Sequence, residues 1–400
     1  MKKPLESIKL IDLTHMLSGP YAGMILADMG CDVVKVEPPK TGENTRRLLE
    51  NDPDYSIDGM STYFFTLNRN KRSVCIDLKK EDGLNLFYNL VQNADVVLSN
   101  FSPGVTKKLK ISFDHLKEIN PKIITCTVTG FGETGPNFKR PAFDQIAQAL
   151  GGGMSITGQS KDEPMRAGLP VGDLSGGMFA VMGIQAALLA RNTTNKGQHV
   201  DISMLDCQIS MLNYMATMHL VSGLIPEPIG NAHFVHVPYN TFSTKDFPIV
   251  IAAAGDQFWP GVLDVFNIEE LRIPKYEFAP SRQADKELIE DLLQKKLMTD
   301  ISENWLKKLE LNKIPCSRVN NFEQALKDEQ IRHRNMVVEL KHPNGASAEV
   351  PGNPIKLSDT HEDSFSPPPL LGAHTDEVLT EWLNLNPDEI SGLRKKLIID

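Results

Sequence analysis

The sequence predicts an α/β protein in which a large domain with a Rossmann-like parallel sheet is interrupted by a smaller, inserted α/β domain. Short apolar segments alternate with segments of helical periodicity through the first half of the chain. This alternation is typical of a parallel sheet covered by helices. A Pro- and Gly-containing stretch after residue 222 separates this first part from a region with a different residue pattern. Strand patterns return after residue 330. A chain of 400 residues is also too long for one compact core.

The elements follow in order along the chain. Strands of the large domain are predicted at residues 8–13, 32–36, 73–78, 94–98, 123–128 and 199–203. Its helices are predicted at residues 19–29, 81–92, 179–190 and 204–220, the last one rich in methionine. The near-continuous apolar strands indicate a sheet buried on both faces. The domain boundaries are placed at residues 1–222 and 331–400 for the large domain, and 223–330 for the linkers and the small domain.

The small domain is predicted to hold a strand at residues 249–254 and helices near residues 257, 287 and 302. Trp259 and Trp305 are expected in its core. After it, strands are predicted at residues 336–340 and 348–350, followed by two short helices.

Composition excludes several classes of protein. With 42 basic and 51 acidic residues, the net charge is −9 and no basic stripe dominates, which argues against a nucleic-acid partner. The five cysteines form no C-x-x-C pair, as expected of free thiols in a reducing compartment. The longest apolar run, residues 178–190, is too short to span a bilayer, and the N-terminus lacks a signal-peptide pattern. We therefore expect a cytoplasmic protein, with a mature chain in an organelle lumen as the alternative, and no membrane partner.

Tightly bound cofactors and metals are not indicated. Glu37 ends the second strand, where a ribose-binding acid would stand, but the first turn contains Pro20 and is not G-x-G-x-x-G. His233 and His236 are three residues apart, without a carboxylate or cysteine nearby to complete a metal site. The surroundings of Ser175 lack the G-x-S-x-G pattern of a serine nucleophile.

Asp173 is the most informative residue of the chain. It lies in residues 171–178, just before the apolar helix, among small residues that include Gly176 and Gly177. Small neighbours are expected to let a bulky ligand approach, and backbone N–H groups at a helix start favour an anion or a developing oxyanion. The alternative is an ordinary N-cap aspartate. This segment alone leaves both interpretations open.

A second group of candidates lies in basic loops at the edges of the sheet. Arg72 directly precedes the third predicted strand, Lys79 ends it, and residues 100–104 with Lys108 follow the fourth. Several cations beside the aromatic ring of Phe101 suit a phosphorylated, nucleotide-like group. The alternative is a solvated basic surface.

Segments spread over almost the whole chain carry a family resemblance. They are residues 14–20, 34–38, 68–77, 100–104, 130–136, 143–149, 171–178, 197–198 and 370–375. Together they resemble the class III coenzyme A transferases, which include formyl-CoA:oxalate, acetyl-CoA:oxalate and carnitine CoA-transferases. The α-methylacyl-CoA racemases share this fold.

The resemblance implies roles for particular residues. Asp173 matches the catalytic aspartate, and the family's CoA-binding positions match Leu17, Ser18, Ile76, Lys79, Asn100, Phe101, Lys108 and Asp144. Gly230, Asn231 and His233 are the nearest counterpart of the glycine-rich lid that closes over the substrate. The resemblance also implies an interlocked homodimer and a CoA thioester as substrate, with no tightly bound cofactor.

Departures from the family pattern affect the acceptor acid. Leu17 stands where the formyl-CoA enzyme has a glutamine, and Pro38 where it has an arginine. Oxalate and succinate are the leading candidates. A racemase would carry a histidine directly before Asp144, but Phe143 precedes it, which favours transfer over proton shuttling. A racemase-like isomerase and a non-catalytic acyl-CoA-binding homologue stay as alternatives.

Overall fold

A computed structural model describes residues 3–360 and 364–400. The chain divides into two compact units: the first comprises Met1–Met154, Arg166–Leu224 and Gln330–Asp400, and the second comprises Ser155–Met165 and Ile225–Glu329. The sequence-based boundaries differ for residues 155–165, which we predicted in the large domain and which belong to the second unit. The amino-acid composition of residues 155–165 does not change in a way that would mark a domain boundary.

The first unit is built on a sheet of six parallel strands. The strands are β1 (Lys9–Asp12), β2 (Asp32–Glu37), β3 (Lys71–Cys75), β4 (Val96–Ser99), β5 (Ile124–Thr129) and β6 (His199–Ser203). Their spatial order is β3-β2-β1-β4-β5-β6. Leu10 of β1 pairs with Val33 on one side and with Val96 on the other. The order therefore reverses direction between β1 and β4, as in doubly wound nucleotide-binding sheets.

Helices cover both faces of this sheet. Those that bear on the site are α1 (Ser18–Asp28), α2 (Asp144–Leu150), α3 (Val171–Thr194), α4 (Met204–Leu212) and α5 (Tyr214–Ser222). The unit also contains helices Thr62–Leu67, Glu81–Gln92, Val105–Lys108, Phe113–Ile119, Thr375–Leu383 and Pro387–Lys395, with an antiparallel pair of strands, Val337–Lys341 and Ser347–Pro351. The methionine-rich helix predicted at 204–220 is interrupted at Asn213, which has a positive φ of 49°.

Each face of the sheet has its own core. On one face α1 and α3 pack on the strands through Leu26, Val181 and Ile184. On the other face Phe87 and Leu90 pack with Val378 and Trp382 from the C-terminal part of the chain. Because apolar strands are covered on both sides, the prediction of a doubly covered parallel sheet is confirmed.

The small residues of α3 serve packing, so the expectation that they admit a ligand is wrong. A Cβ on Gly177 would lie 2.7 Å from the carbonyl oxygen of Ser18 and 3.0 Å from the ring of Tyr21. A Cβ on Gly176 would meet Val128 and Met204 at 3.2 and 3.3 Å. The glycines let α3 approach α1, β5 and α4 closely. By length and hydropathy alone α3 could cross a membrane, but core helices of globular proteins pass the same test.

The second unit has a three-stranded antiparallel sheet with a separate core. Its strands are Tyr239–Phe242, Ile249–Ala252 and Cys316–Arg318, and its helices include Trp259–Phe266, Ala279–Ala284, Lys286–Leu297, Ser302–Leu311 and Phe322–Lys327. Trp259 and Trp305 are both buried in this core, as predicted.

The packing of α3 gives a stability prediction. Gly177→Ala should lower the free energy of unfolding by about 1–3 kcal/mol, because its methyl group has no room beside Ser18 and Tyr21. Gly392→Ala is the matched control: this helical glycine has nothing within 4 Å of an added Cβ, so alanine should stabilise by roughly 0.5–1 kcal/mol. Urea unfolding of both variants measures the difference. Equal effects of the two substitutions would contradict the packing role.

Candidate active site

The site lies where the strand order reverses. The loops after β1 and β4 meet there: the His15 N–H donates to Asn100 Oδ1 at 2.8 Å, and Asn100 Nδ2 donates to the His15 carbonyl at 2.6 Å. Open α/β sheets bind ligands in the crevice at this point, outside the carboxyl ends of the strands. Asn100, a sequence-predicted site residue, therefore joins the two loops that form the crevice.

Two buried lysines fix the loop after β1. Lys35 Nζ donates to the Thr14 carbonyl at 2.7 Å, and Lys71 Nζ donates to the Pro20 carbonyl at 3.0 Å. Lys71 also pairs with Asp12 at 2.9 Å. Burial opposes ionisation of Asp12, but the two ammonium groups outweigh it and lower the pKa of Asp12 to about 2. The loop is thus held by charges that stay paired at working pH.

A cavity of about 210 Å³ contains the Asp173 side chain. Four of the sequence-predicted residues meet there, namely Asp173, Ser18, Asn100 and Phe101. The other walls come from the loop before α2 and from the ends of β5 and α4. The Asp173 carboxylate is therefore part of the wall of a cavity in the crevice at the switch point.

The environment of Asp173 raises its pKa to about 6. Burial is the main cause and the nearby Asp144 carboxylate adds to it, while a hydrogen bond from the Ser18 hydroxyl acts in the opposite direction. A carboxylate that is poorly solvated when ionised is a better nucleophile than one in water. Above about pH 6 Asp173 is therefore a charged, reactive group.

Asp144 supports the start of α3. Its Oδ1 accepts the N–H of Gly172 at 2.7 Å and that of Asp173 at 3.3 Å, and its Oδ2 accepts Gln148 Nε2 at 2.7 Å. The N-cap position itself is Pro170, without a side-chain cap. Asp173 is thus the third residue of the helix and not its N-cap, while Asp144 performs the capping from a neighbouring helix.

The N–H groups at the start of α3 are already engaged, which corrects the expected oxyanion site. Those of Gly172 and Asp173 donate to Asp144, and those of Val171 and Leu174 donate to the carbonyls of residues 169 and 170. These four N–H groups, which could have stabilised an oxyanion, therefore already donate hydrogen bonds to other groups of the protein.

A second, larger cavity of about 780 Å³ brings together Ile76, Lys79, Phe101 and Lys108. Lys79 and Lys108 have no carboxylate partner within 4 Å in the described part of the chain. His15 and Phe101 line both cavities. A long ligand with phosphate groups at one end can therefore extend from the lysines to Asp173.

Arg72 and Leu17 lie outside the residues that line these two cavities. The guanidinium of Arg72 pairs with Asp32, Glu377 and Glu381 at 2.7–2.8 Å near the amino end of β3. The sequence could not show that these acids pair with Arg72, because two of them lie more than 300 residues away in the chain. Leu17 occupies the N-cap position of α1 and is half-buried.

The three predicted substrate residues, Gly230, Asn231 and His233, belong to the second unit. Gly230 has a positive φ of 61° and donates its N–H to the Gly158 carbonyl at 3.0 Å. The ring of His233 stacks on His236 with centroids 4.7 Å apart. Nowhere in residues 3–360 and 364–400 do three His, Cys, Asp or Glu side chains converge as metal ligands.

Three further ionisable side chains line the Asp173 cavity: His15, Tyr63 and Arg140. Burial lowers the pKa of His15 to about 4, with Lys35 adding to the effect. Burial also raises the pKa of Tyr63 to about 12, with the Asp173 charge adding to it. Both side chains are thus neutral near pH 7. His15 lies in a family-like motif, which was the available signal; Tyr63 and Arg140 had none.

The sheet, its switch point and the two cavities that share His15 and Phe101 define an α/β protein with a ligand site at the reversal of strand order. A sequence model described as CoA-transferase family III matches residues 5–375. The chain belongs to this family, as the resemblance predicted.

Individual relatives are similar over nearly their whole length. Human succinyl-CoA:glutarate CoA-transferase is 33% identical over 100% of this chain and 90% of its own. Acetyl-CoA:oxalate CoA-transferase of Acetobacter aceti is 34% identical over 92% and 93%. The crystal structure of a CaiB/BaiF family protein from Brucella suis covers 96% of this chain and 100% of its own, with 33% identity and a TM-score of 0.84.

The environment of Asp173 predicts opposite effects of two substitutions on pH dependence. Asp144→Asn removes a negative charge that raises the pKa of Asp173, so the acid limb of the kcat/KM profile should move below pH 6. Ser18→Ala removes a hydrogen bond that lowers this pKa, so the limb should move above pH 6. Shifts in the same direction, or none, would contradict the assignment of this limb to Asp173.

Proposed function

We propose that this protein transfers CoA from an acyl-CoA donor to a small carboxylic acid through covalent intermediates on Asp173. The observation that carries the proposal is the environment of this side chain: a largely buried carboxylate with a pKa of about 6, in a cavity next to a larger one lined by cations. Membership of CoA-transferase family III supports the reaction class.

The acyl-CoA donor is proposed to occupy both cavities. Lys79 and Lys108 offer ammonium groups to the phosphates in the larger cavity, and the Phe101 ring offers a face to the adenine. The pantetheine arm then passes His15 and brings the thioester to Asp173. CoA is a substrate in this arrangement, and its thiol re-enters the reaction in the second half of the cycle.

In the first half-reaction a carboxylate oxygen of Asp173 attacks the acyl carbonyl carbon. The carbon–sulfur bond breaks, the CoA thiolate leaves, and a mixed anhydride remains on Asp173. The thiolate then attacks the aspartyl carbonyl carbon and displaces the donor acid as its carboxylate. The enzyme now holds CoA as a thioester of Asp173.

The second half-reaction reverses these steps with the new acid. Its carboxylate attacks the aspartyl thioester and releases the CoA thiolate, which leaves a second mixed anhydride. The thiolate attacks the acyl carbon of that anhydride, forms the new acyl-CoA and restores the Asp173 carboxylate. No net proton is needed, which fits a site whose His15 and Tyr63 are neutral near pH 7.

Water must be kept from the anhydride and the aspartyl thioester, because both hydrolyse readily. The residues around Gly230, with its positive φ, remain our proposed closing segment. Its counterpart in the family is the glycine-rich lid named above.

The acceptor is proposed to be a dicarboxylic acid. The names of the human and Acetobacter aceti relatives contain succinyl, glutarate and oxalate, all of which are diacid groups.

A homodimer is also proposed, because α5 exposes an apolar surface. None of its residues is buried, and Leu220 and Val221 are 81% and 83% exposed. Met211 and Met218 are about half exposed as well. Exposed apolar helices of this kind mark protein contacts, and an interlocked dimer is the form that the family resemblance implies. Light scattering on the purified chain measures the assembly.

A cytoplasmic location stays a proposal. Its support is that Cys31, Cys75, Cys126, Cys207 and Cys316 are all free, the first four of them buried.

Substitution of Asp173 tests the proposed function. Asp173→Ala and Asp173→Asn should each lower kcat by at least about 1,000-fold, since neither side chain can form the aspartyl thioester. Asp206→Asn, an exposed carboxylate in the first turn of α4, is the matched control and should keep wild-type activity. Rates are measured as exchange of labelled CoA between acyl-CoA and free acid.

Binding of acyl-CoA is followed in parallel by calorimetry. An Asp173→Ala variant that binds acyl-CoA but transfers nothing supports the enzyme. A wild-type protein that binds acyl-CoA without any transfer would establish the non-catalytic alternative instead.

A further inference from the structure

Arg140 is a permanent positive charge at the wall of the Asp173 cavity. Among the described residues that line this cavity, it is the only lysine or arginine. His15, the other basic side chain there, is neutral near pH 7 because burial lowers its pKa to about 4. Arg140 therefore dominates the electrostatic preference of the cavity for a second ligand charge.

The backbone positions Arg140 through the connection from β5 to α2. The Gly130 carbonyl accepts the Leu205 N–H at 3.1 Å, and the Gly132 N–H donates to Thr129 Oγ1 at 2.9 Å. The Arg140 N–H closes a turn by donating to the Asn137 carbonyl at 2.9 Å. These bonds fix the start of the connection and the turn that carries Arg140.

The guanidinium of Arg140 is available to a ligand. It lies over the ring of Phe131, 5.3 Å from its centroid, and Phe131 is itself buried. Across residues 3–360 and 364–400 no carboxylate lies within 4 Å of it. An arginine that rests on an aromatic face and keeps its planar fork of N–H donors is well suited to bind a carboxylate through two bonds.

We propose that Arg140 binds the second carboxylate of a dicarboxylic acid whose first carboxyl group reacts at Asp173. This inference rests on the proposed function, in which the reacting carboxyl of each acid must reach Asp173. A diacid in this cavity would otherwise bring an uncompensated negative charge beside Asp173 and close to Asp144. Arg140 supplies the compensating charge, and an acid without a second carboxylate gains nothing from it.

The inference separates Arg140 from a residue that binds CoA. A contact with a CoA phosphate would serve every acceptor equally. A contact with the distal carboxylate serves glutarate and succinate, but not their monoamides, which have nearly the same size and lack only the second charge. Comparing each diacid with its monoamide therefore isolates the proposed contact.

The experiment compares Arg140→Gln with wild type, using butyryl-CoA as a donor without a second carboxylate. The kcat/KM for glutarate and succinate should fall about 10- to 150-fold, the range for a lost charge-assisted bond. The kcat/KM for glutaramate and succinamate should change less than about 3-fold. Arg140→Lys, which keeps the charge but loses the fork, should recover part of the loss.

Lys139→Gln is the matched control, because Lys139 is exposed like Arg140 but does not line the cavity. It should leave all four acids unchanged. An equal loss for diacids and monoamides in Arg140→Gln, or no loss for either, overturns the inference while leaving the proposed function intact. Wild-type enzyme that transfers CoA to none of the four acids counts against the proposed function itself.

Discussion

The carboxylate of Asp144 holds the first turn of α3, and the reactive state of Asp173 depends on it. By accepting the N–H groups of Gly172 and Asp173 it replaces the missing side-chain cap at Pro170. The same negative charge adds to burial in raising the pKa of Asp173 to about 6. One residue thus fixes the backbone of the nucleophile and keeps its carboxylate poorly stabilised. The family-based expectation that Asp144 contacts CoA did not anticipate this supporting role.

The rest of the first unit brings a binding surface to that carboxylate. The reversal of strand order between β1 and β4 opens the crevice, and the reciprocal bonds of His15 and Asn100 join its two loops. Lys35 and Lys71, both buried, hold the loop that carries His15. Buried ion pairs of this kind contribute little net stability, so their value here is to define one geometry for the loop.

The sequence predicted the sheet well because apolar strands and intervening helices leave a periodic signal. The helix at residues 81–92 and the strand at 199–203 agree with the structure to the residue. Contacts between distant residues leave no such signal. Arg72 was expected to bind a phosphorylated, nucleotide-like group. In the fold its guanidinium instead pairs with three acidic residues that are distant from it in the sequence. Gly176 and Gly177 were read as space for a ligand, because a sequence does not show which helix approaches a glycine.

Trapping the intermediate tests the central claim that Asp173 becomes covalently bonded during transfer. Enzyme mixed with acyl-CoA is quenched with borohydride, which reduces an aspartyl thioester or anhydride to an alcohol, and the peptides are analysed by mass spectrometry. We expect reduction at residue 173 that requires acyl-CoA and is absent from the peptide containing Asp144. An enzyme that transfers CoA at full rate while Asp173 is never modified, or that is modified at another carboxylate, would contradict the mechanism.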